Sequence, residues 1–139
     1  MSLFVDTSAF YAAADSGDRV HDRARAALTE DERLLTSDHV LLETWILLDA
    51  RLGREAARTF WSAIRDGVAE VVAVGAADLE RAWQIAGDFP DQAFSLVDMT
   101  SFAVMERLGV ARVATFDRHF AVHRYGLRRE RAFEIVAGA

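Results

Sequence analysis

The chain has 139 residues, of which 52% are hydrophobic and one is proline, and this composition favours one compact domain over disorder. It contains no cysteine, which excludes disulfides, thiolate zinc sites and cysteine nucleophiles. The formal net charge of -6 argues against bulk attraction to nucleic acid. Because the chain also lacks a signal peptide and any apolar run of about 20 residues, we expect a cytoplasmic protein with no membrane span.

Short β-like runs alternate with helical stretches along the chain. Strands are predicted at 2–6, 33–36, 69–74, 111–115 and 133–136. Helices are predicted at 7–15, from the turn at 16–18 to about 28, from 37 or 38 to 52, and at 54–66, 77–88 and 95–108. A further short helix is predicted after 117. This alternation predicts an α/β fold, with a mainly parallel sheet covered by helices on both faces, in a single domain over 1–139.

Four acidic residues stand where the neighbouring residues are apolar, and we call Asp6, Glu43, Asp98 and Asp117 the acidic quartet. Asp6 and Asp117 each follow a predicted strand, and the carboxyl ends of parallel strands share one edge of a sheet. The other two members interrupt apolar helical stretches. Since a lone buried carboxylate is costly unless it is paired or metal-bound, the quartet predicts an oxygen-rich site for Mg²⁺ or Mn²⁺.

Each member of the quartet also has a structural interpretation. The two strand-end acids could cap the helices that follow them, and the two helical acids could pair with arginines such as Arg51 or Arg107. If the four converge, however, two unit charges 4 Å apart repel by about 4 kcal/mol at an effective dielectric of 20. Several such pairs favour a cation among them.

The basic residues exclude several classes of phosphate-binding protein, because all 16 of them are arginine and none is lysine. A Walker phosphate-binding loop needs a lysine, as do receiver domains and the nucleases that pair two acids with a lysine. Haloacid-type phosphatases open with Asp-x-Asp, whereas Asp6 is followed by Thr7 and Ser8. Metal chemistry supported by carboxylates alone is compatible with the chain.

Several segments, in this order and spacing, resemble the PIN-domain ribonucleases, and in particular the VapC-type toxins of bacterial toxin-antitoxin pairs. They are residues 4–8 (FVDTS), Glu43, residues 95–102 (SLVDMTSF), residues 104–109 (VMERLG) and residues 115–120 (TFDRHF). The resemblance extends over essentially the whole chain. It implies a three-layer α/β/α sandwich around a short, mainly parallel sheet.

The resemblance also implies metal-dependent hydrolysis of RNA, which could be transfer, ribosomal or messenger RNA. In this interpretation Asp6, Asp98 and Asp117 hold Mg²⁺ or Mn²⁺, and Glu43 completes the site or orients the attacking water. Ser8 and Thr115 match the supporting polar residues of the family. The implied partners are a cognate antitoxin and a second copy of the chain. The alternative is a non-catalytic PIN-like module that binds RNA or protein.

Other side chains have two interpretations each. The arginines between 118 and 131 are candidates for an RNA-binding rim or for a solvated charged surface; the RNA-binding candidates are Arg118, Arg124, Arg128 and Arg129. His119 and His123 lie near the proposed site and could be metal ligands or bases, but histidine is less suited to a hard-cation pocket, so surface or packing roles are expected. The apolar helical residues are expected in the core, in a homodimer interface or in an antitoxin groove; they include Phe10, Tyr11, Trp45, Phe60, Trp61 and Trp83.

Overall fold

The computed structural model describes residues 1–30 and 33–137 and confirms the predicted alternation of strands and helices. In this part of the chain the strands are β1 (Ser2–Val5), β2 (Arg33–Ser37), β3 (Glu70–Val72), β4 (Arg112–Ala114) and β5 (Glu134–Val136). The helices are α1 (Thr7–Ala14), α2 (His21–Thr29), α3 (Asp38–Arg51), α4 (Arg54–Arg65), α5 (Ala76–Asp88), α6 (Leu96–Leu108) and α7 (His119–Val122).

The strands form one sheet in the order β3-β2-β1-β4-β5, and every pairing is parallel. β1 lies at the centre, where Phe4 pairs with Leu35 on one side and with Val113 on the other. The chain moves from β1 through β2 to β3 in one direction across the sheet and then returns to β4 and β5 in the other. Since crossovers between parallel strands are right-handed, this order puts α1–α4 on one face and α5–α7 on the opposite face. The predicted three-layer α/β/α sandwich is therefore confirmed, and the apolar residues 3–5 of β1 are fully buried in its middle.

Local sequence signals determine where the helices next to the sheet begin and end. Ser37 follows β2 and caps α3 by accepting a hydrogen bond from the backbone N–H of Val40 at 3.1 Å. Ser95 caps α6 in the same way, and Gly109 ends that helix with a φ of +67°, a left-handed conformation that glycine adopts without strain. α1 begins directly after β1, and the first turn of α6 lies beside the segment that follows β4, where Asp98 contacts His119.

The apolar residues of the helices divide between core and surface. Phe10 and Phe60 are buried in edge-to-face contact, with ring centroids 5.1 Å apart. α3 is apolar on most of its circumference, yet Leu42 and Ile46 are 61% and 66% exposed. Trp83 is exposed as well, so it is not a core residue. These side chains lie on the outer surface because the sheet contacts one face of each helix.

The limits of the fold differ slightly from those expected. β3 spans three residues instead of the six predicted over 69–74. Among the described residues no helix is both long and apolar enough to cross a membrane. The single domain over 1–139 stays a prediction, and its last two residues lie outside the described part of the chain.

Candidate active site

Asp6 lies directly after β1 and is 3% exposed. Its backbone N–H donates to the carbonyl of Ala114 at 3.1 Å, which ties it to the end of β4. Its Oδ2 accepts hydrogen bonds from the hydroxyls of Ser8 and Thr115, each at 2.9 Å. The side chain makes no N-cap hydrogen bond to α1, so the capping interpretation of Asp6 was wrong.

The two hydroxyls that hold Asp6 also organise the segment after β4. Ser8 Oγ accepts the backbone N–H of Phe116, and Thr115 Oγ1 accepts that of Asp117, both at 2.9 Å. Each hydroxyl thus donates to a carboxylate and accepts from the backbone. This double use fixes Asp6 relative to Asp117 across two strands that are remote in the sequence.

Asp98 occupies the first turn of α6, where it is 6% exposed. Its backbone N–H donates to Ser95 Oγ and its Oδ2 accepts the backbone N–H of Ser95, both at 3.0 Å, which forms a capping box. The arginines expected as alternative partners lie elsewhere: Arg107 pairs with Asp78, and Arg51 stacks over the ring of Tyr11. Arginine pairing therefore does not explain the burial of Asp98.

Asp117 and His119 complete a cluster with Asp98. Asp117 Oδ1 accepts the backbone N–H of His119, the first residue of α7, at 2.9 Å, although the N-cap residue of that helix is Arg118. His119 Nδ1 lies 3.0 Å from Asp98 Oδ2 and 3.4 Å from Asp117 Oδ1. One possible ligand atom from each of these three residues lies within 4.8 Å of the other two. The cluster therefore has the donors for a metal ion.

His119 is a residue of the site for which the sequence interpretation favoured a surface or packing role over a metal-binding one. The expected packing role is confirmed, because its ring contacts that of Phe94 edge-on at 5.3 Å. Its contact with two carboxylates was not expected. The sequence signal for this contact was the Asp-x-His spacing of Asp117 and His119. It puts the imidazole on the first residue of α7, two residues after the acid at the strand end.

Glu43 is the least constrained member of the quartet. It is half-buried on α3 and lies outside the group of three potential ligands found among the described residues. Asp6 also lies outside that group, yet it is near enough to Asp98 for the charge of Asp98 to raise its pKa. The structure thus links three acids to one place, and the part of Glu43 stays a prediction.

The buried acids resist ionisation. Burial raises the pKa of Asp6 to about 6, against the lowering effect of the hydrogen bonds from Thr115 and Ser8. Burial also raises the pKa of Asp98, opposed by the Ser95 N–H and by His119, and the negative charge of Asp117 adds to the rise. A divalent cation would lower the pKa values of these acids, because it stabilises the charged carboxylates.

The arginines and His123 lie outside this cluster. Arg118 and Arg128 are exposed, Arg124 donates to the Ala121 carbonyl, and Arg129 stacks over Phe89 with its guanidinium 3.7 Å from Asp88. His123 is fully buried, with Nε2 2.9 Å from Glu106 and its ring stacked on Phe102. The packing role expected for His123 is confirmed.

Comparison with known proteins agrees with this geometry. The family model for the PIN domain matches residues 3–124. The chain is 40% identical over 121 residues to the 23S rRNA-specific endonuclease VapC20 of Mycobacterium tuberculosis, covering 86% of this chain and 92% of the relative. The chain belongs to the PIN domain family. The resemblance to VapC-type PIN-domain ribonucleases is thereby confirmed.

Solved structures confirm the fold. The crystal structure of Mycobacterium tuberculosis VapC20, described as a sarcin-ricin loop cleaving toxin, matches with a TM-score of 0.81 and 38% identity, covering 86% of this chain and 93% of that one. VapBC2 from Rickettsia felis, bound to a promoter DNA fragment, matches with a TM-score of 0.69 at 12% identity, covering 98% and 99%. The second likeness concerns the fold alone.

PIN nucleases use a divalent metal ion, and the donor set of this chain suits one. The acids supply hard oxygen ligands. Within residues 1–30 and 33–137, neither Asp98 Oδ1 nor Asp117 Oδ2 accepts a hydrogen bond, while the other oxygen of each carboxylate is held in place. Hydrogen bonds at one oxygen therefore orient each carboxylate, which keeps both acids in place to bind a cation.

Proposed function

We propose that this PIN-domain protein is an Mg²⁺- or Mn²⁺-dependent endoribonuclease and the toxin of a toxin-antitoxin pair. The observation that carries the proposal is the pair of buried acids, Asp6 and Asp98, whose hydrogen-bond partners are hydroxyls, a backbone N–H and one imidazole. No arginine contacts either carboxylate among the described residues. Such acids suit a bound cation better than a structural role.

The four acids of the quartet have different roles at the site. Asp6, Asp98 and Asp117 hold the ion, and Glu43 completes the site or orients the attacking water. The ion supplies polarisation of the phosphoryl oxygen and stabilises the charge that develops on the phosphate. Ser8 and Thr115 keep Asp6 in a single orientation through their two hydrogen bonds at 2.9 Å. Orientation of this kind lowers the barrier because the ligands do not have to reorganise during the reaction.

The substrate that we propose is a loop of ribosomal RNA. Support comes from the relative at 40% identity, which is named as a 23S rRNA-specific endonuclease. Arg118, Arg124, Arg128 and Arg129 would contact phosphates beside the cleaved bond. All four are exposed, and they lie in the connections on either side of α7, with Arg118 before the helix, next to Asp117, and the other three after it.

The partners that we propose are a cognate antitoxin and a second copy of the chain, and the compartment is the cytoplasm. The outer surface of α3 and α4 carries an apolar recess of about 280 Å³, which offers a groove for an antitoxin helix. Its lining residues are Leu41, Leu42, Trp45 and Trp61. An apolar recess of this kind, outside the core, is typical of a protein interface.

The decisive experiment is cleavage of total RNA and of intact ribosomes by the purified protein with Mg²⁺, with Mn²⁺ and with EDTA. We expect discrete ribosomal RNA fragments that require the metal. Asp98→Asn serves as the control for contaminating ribonuclease, since asparagine can still accept the Ser95 hydrogen bond.

Cleavage that ignores both EDTA and Asp98→Asn would contradict the proposal. RNA binding without cleavage would favour the non-catalytic binding module instead. Fragments from transfer or messenger RNA alone would keep the nuclease and overturn the ribosomal substrate.

A further inference from the structure

His119 places an imidazole among the acids of the proposed metal site. We propose that His119 Nδ1 is itself a metal ligand, which makes the site a mixed nitrogen and oxygen site that prefers Mn²⁺ to Mg²⁺. The inference rests on the proposed function, because it concerns the ion of that same site. It adds to the quartet a fifth residue with a defined consequence, the choice of metal.

The spacing of the donor atoms supports ligation. His119 Nδ1 lies 3.0 Å from Asp98 Oδ2 and 3.4 Å from Asp117 Oδ1. In an octahedral site with bonds of about 2.1 Å, neighbouring ligand atoms lie about 3 Å apart. Both oxygens therefore already lie at about the separation from Nδ1 that adjacent ligands on one ion have. With the ring proton on Nε2, the Nδ1 lone pair is available to the ion, and small shifts of the side chains would admit it.

The scaffold holds the imidazole in this place. The His119 backbone N–H is bound to Asp117, and the ring rests edge-on against Phe94, with 21% of the side chain exposed. The next residue, Phe120, is fully buried, with its ring 4.9 Å from that of Phe102. Because these contacts anchor α7 at its first turn, the imidazole remains next to the carboxylates.

Ligand chemistry connects this nitrogen to metal choice. Mg²⁺ is bound almost entirely through oxygen and keeps several waters, so it gains little from an imidazole. Transition-metal ions accept imidazole nitrogen more readily. A site built only from carboxylates would lack this source of discrimination. Nitrogen ligation by His119 therefore increases the affinity for Mn²⁺ relative to Mg²⁺.

The test is Mn²⁺ binding to the full-length protein, followed by electron paramagnetic resonance and by competition with Mg²⁺. In the wild type we expect ¹⁴N coupling from imidazole in the spin-echo spectrum of bound Mn²⁺. His119→Ala and His119→Asn should both abolish that coupling and lower the Mn²⁺-to-Mg²⁺ affinity ratio by about 10-fold or more. Asparagine can still donate a hydrogen bond to Asp98, so a role restricted to positioning would leave His119→Asn close to the wild type.

His21→Gln is the matched control, because the His21 ring contacts the Ala12 carbonyl at the far end of α1. It should keep both the coupling and the affinity ratio. Bound Mn²⁺ without ¹⁴N coupling, or an unchanged ratio in His119→Ala, would overturn this inference. Metal-dependent RNA cleavage in that case would leave the proposed nuclease intact, whereas failure to bind Mn²⁺ at all would remove both.

Discussion

Two carboxylates with the same small solvent exposure have pKa values shifted in opposite directions. Asp6 and Asp78 are each 3% exposed. Asp78 accepts two hydrogen bonds from the guanidinium of Arg107, at 2.8 and 2.9 Å, and these bonds lower its pKa. Asp6 accepts its two side-chain hydrogen bonds from neutral hydroxyls, and burial raises its pKa to about 6. Asp6 also lies deeper in the protein than Asp78, so burial and the lack of a cationic partner act together to raise its pKa.

The same contrast separates two regions of the molecule. In the contact between α5 and α6, Asp78 pairs with Arg107 and Glu106 pairs with Arg81 at 3.1 Å. At the carboxyl ends of β1 and β4, by comparison, the acids meet hydroxyls, backbone N–H groups and His119. Arginine-paired acids hold helices together, and acids without arginine are suited to bind a cation. The following predictions test this division.

The largest effect expected concerns activity. Asp98→Asn should lower RNA cleavage by about 100-fold or more, since it removes a charged ligand from the site. Asp78→Asn should leave the cleavage rate per folded molecule close to that of the wild type. Rates are measured on a ribosomal RNA fragment with saturating Mn²⁺, and circular dichroism reports folding. If Asp78→Asn proved the more damaging to the rate, the division into structural and site acids would be wrong.

The second effect concerns the pH dependence of stability in EDTA. Because the pKa of Asp6 rises from 3.8 to about 6, its protonation stabilises the fold fully below pH 3.8, and this stabilisation is lost as the pH rises through 6. A shift of that size corresponds to about 3 kcal/mol. The wild type should therefore lose about that much more free energy of unfolding than Asp6→Asn between pH 4 and pH 7.

Urea unfolding of both proteins at the two pH values measures this difference. Saturating Mn²⁺ should reduce the loss in the wild type at pH 7, because the cation stabilises the ionised carboxylate. Parallel pH profiles for the wild type and Asp6→Asn would contradict the expectation.

The smallest effect is the loss of the structural pair. Asp78→Asn should lower the free energy of unfolding at pH 7 by about 1–3 kcal/mol, less than a fully buried pair because the side chain of Arg107 is 43% exposed. The pKa of Asp78 is lowered from 3.8 in the folded protein. The stabilisation by the ionised carboxylate is therefore complete above pH 3.8 and is lost as the pH falls through the lowered pKa of the folded state. Urea unfolding at pH 7 and pH 3 measures both, and an equal deficit at the two pH values would contradict this account.

Much of the fold could be predicted because its signals are local. The apolar run before Asp6, the Ser95 cap and the Gly109 stop each depend on a few adjacent residues. Three strand-end or helix-start acids could be predicted in the same way. The exposure of Leu42 and Ile46 could not, because an apolar helix looks the same in sequence whether the sheet or a partner covers it.

The contacts of the acids were harder to predict. The sequence offered Arg107 as a partner for the quartet, and the structure assigns it to Asp78, a residue that no apolar run had marked. The approach of His119 to Asp98 depends on the rotation of α7, which the packing of Phe120 on Phe102 determines. Such pairings result from tertiary packing and produce no periodic pattern in the sequence.

The hydrogen bonds at Asp6 also have a consequence for synthesis of the chain. Thr115 is 109 residues from Asp6, and 107 from Ser8. β1 cannot acquire its β4 neighbour until residues 112–114 have been translated and have left the ribosome. Contacts of such high sequence separation also form late because their loop-closure entropy must be offset first. The nascent chain therefore assembles its acidic site only after residues 112–117 have left the ribosome.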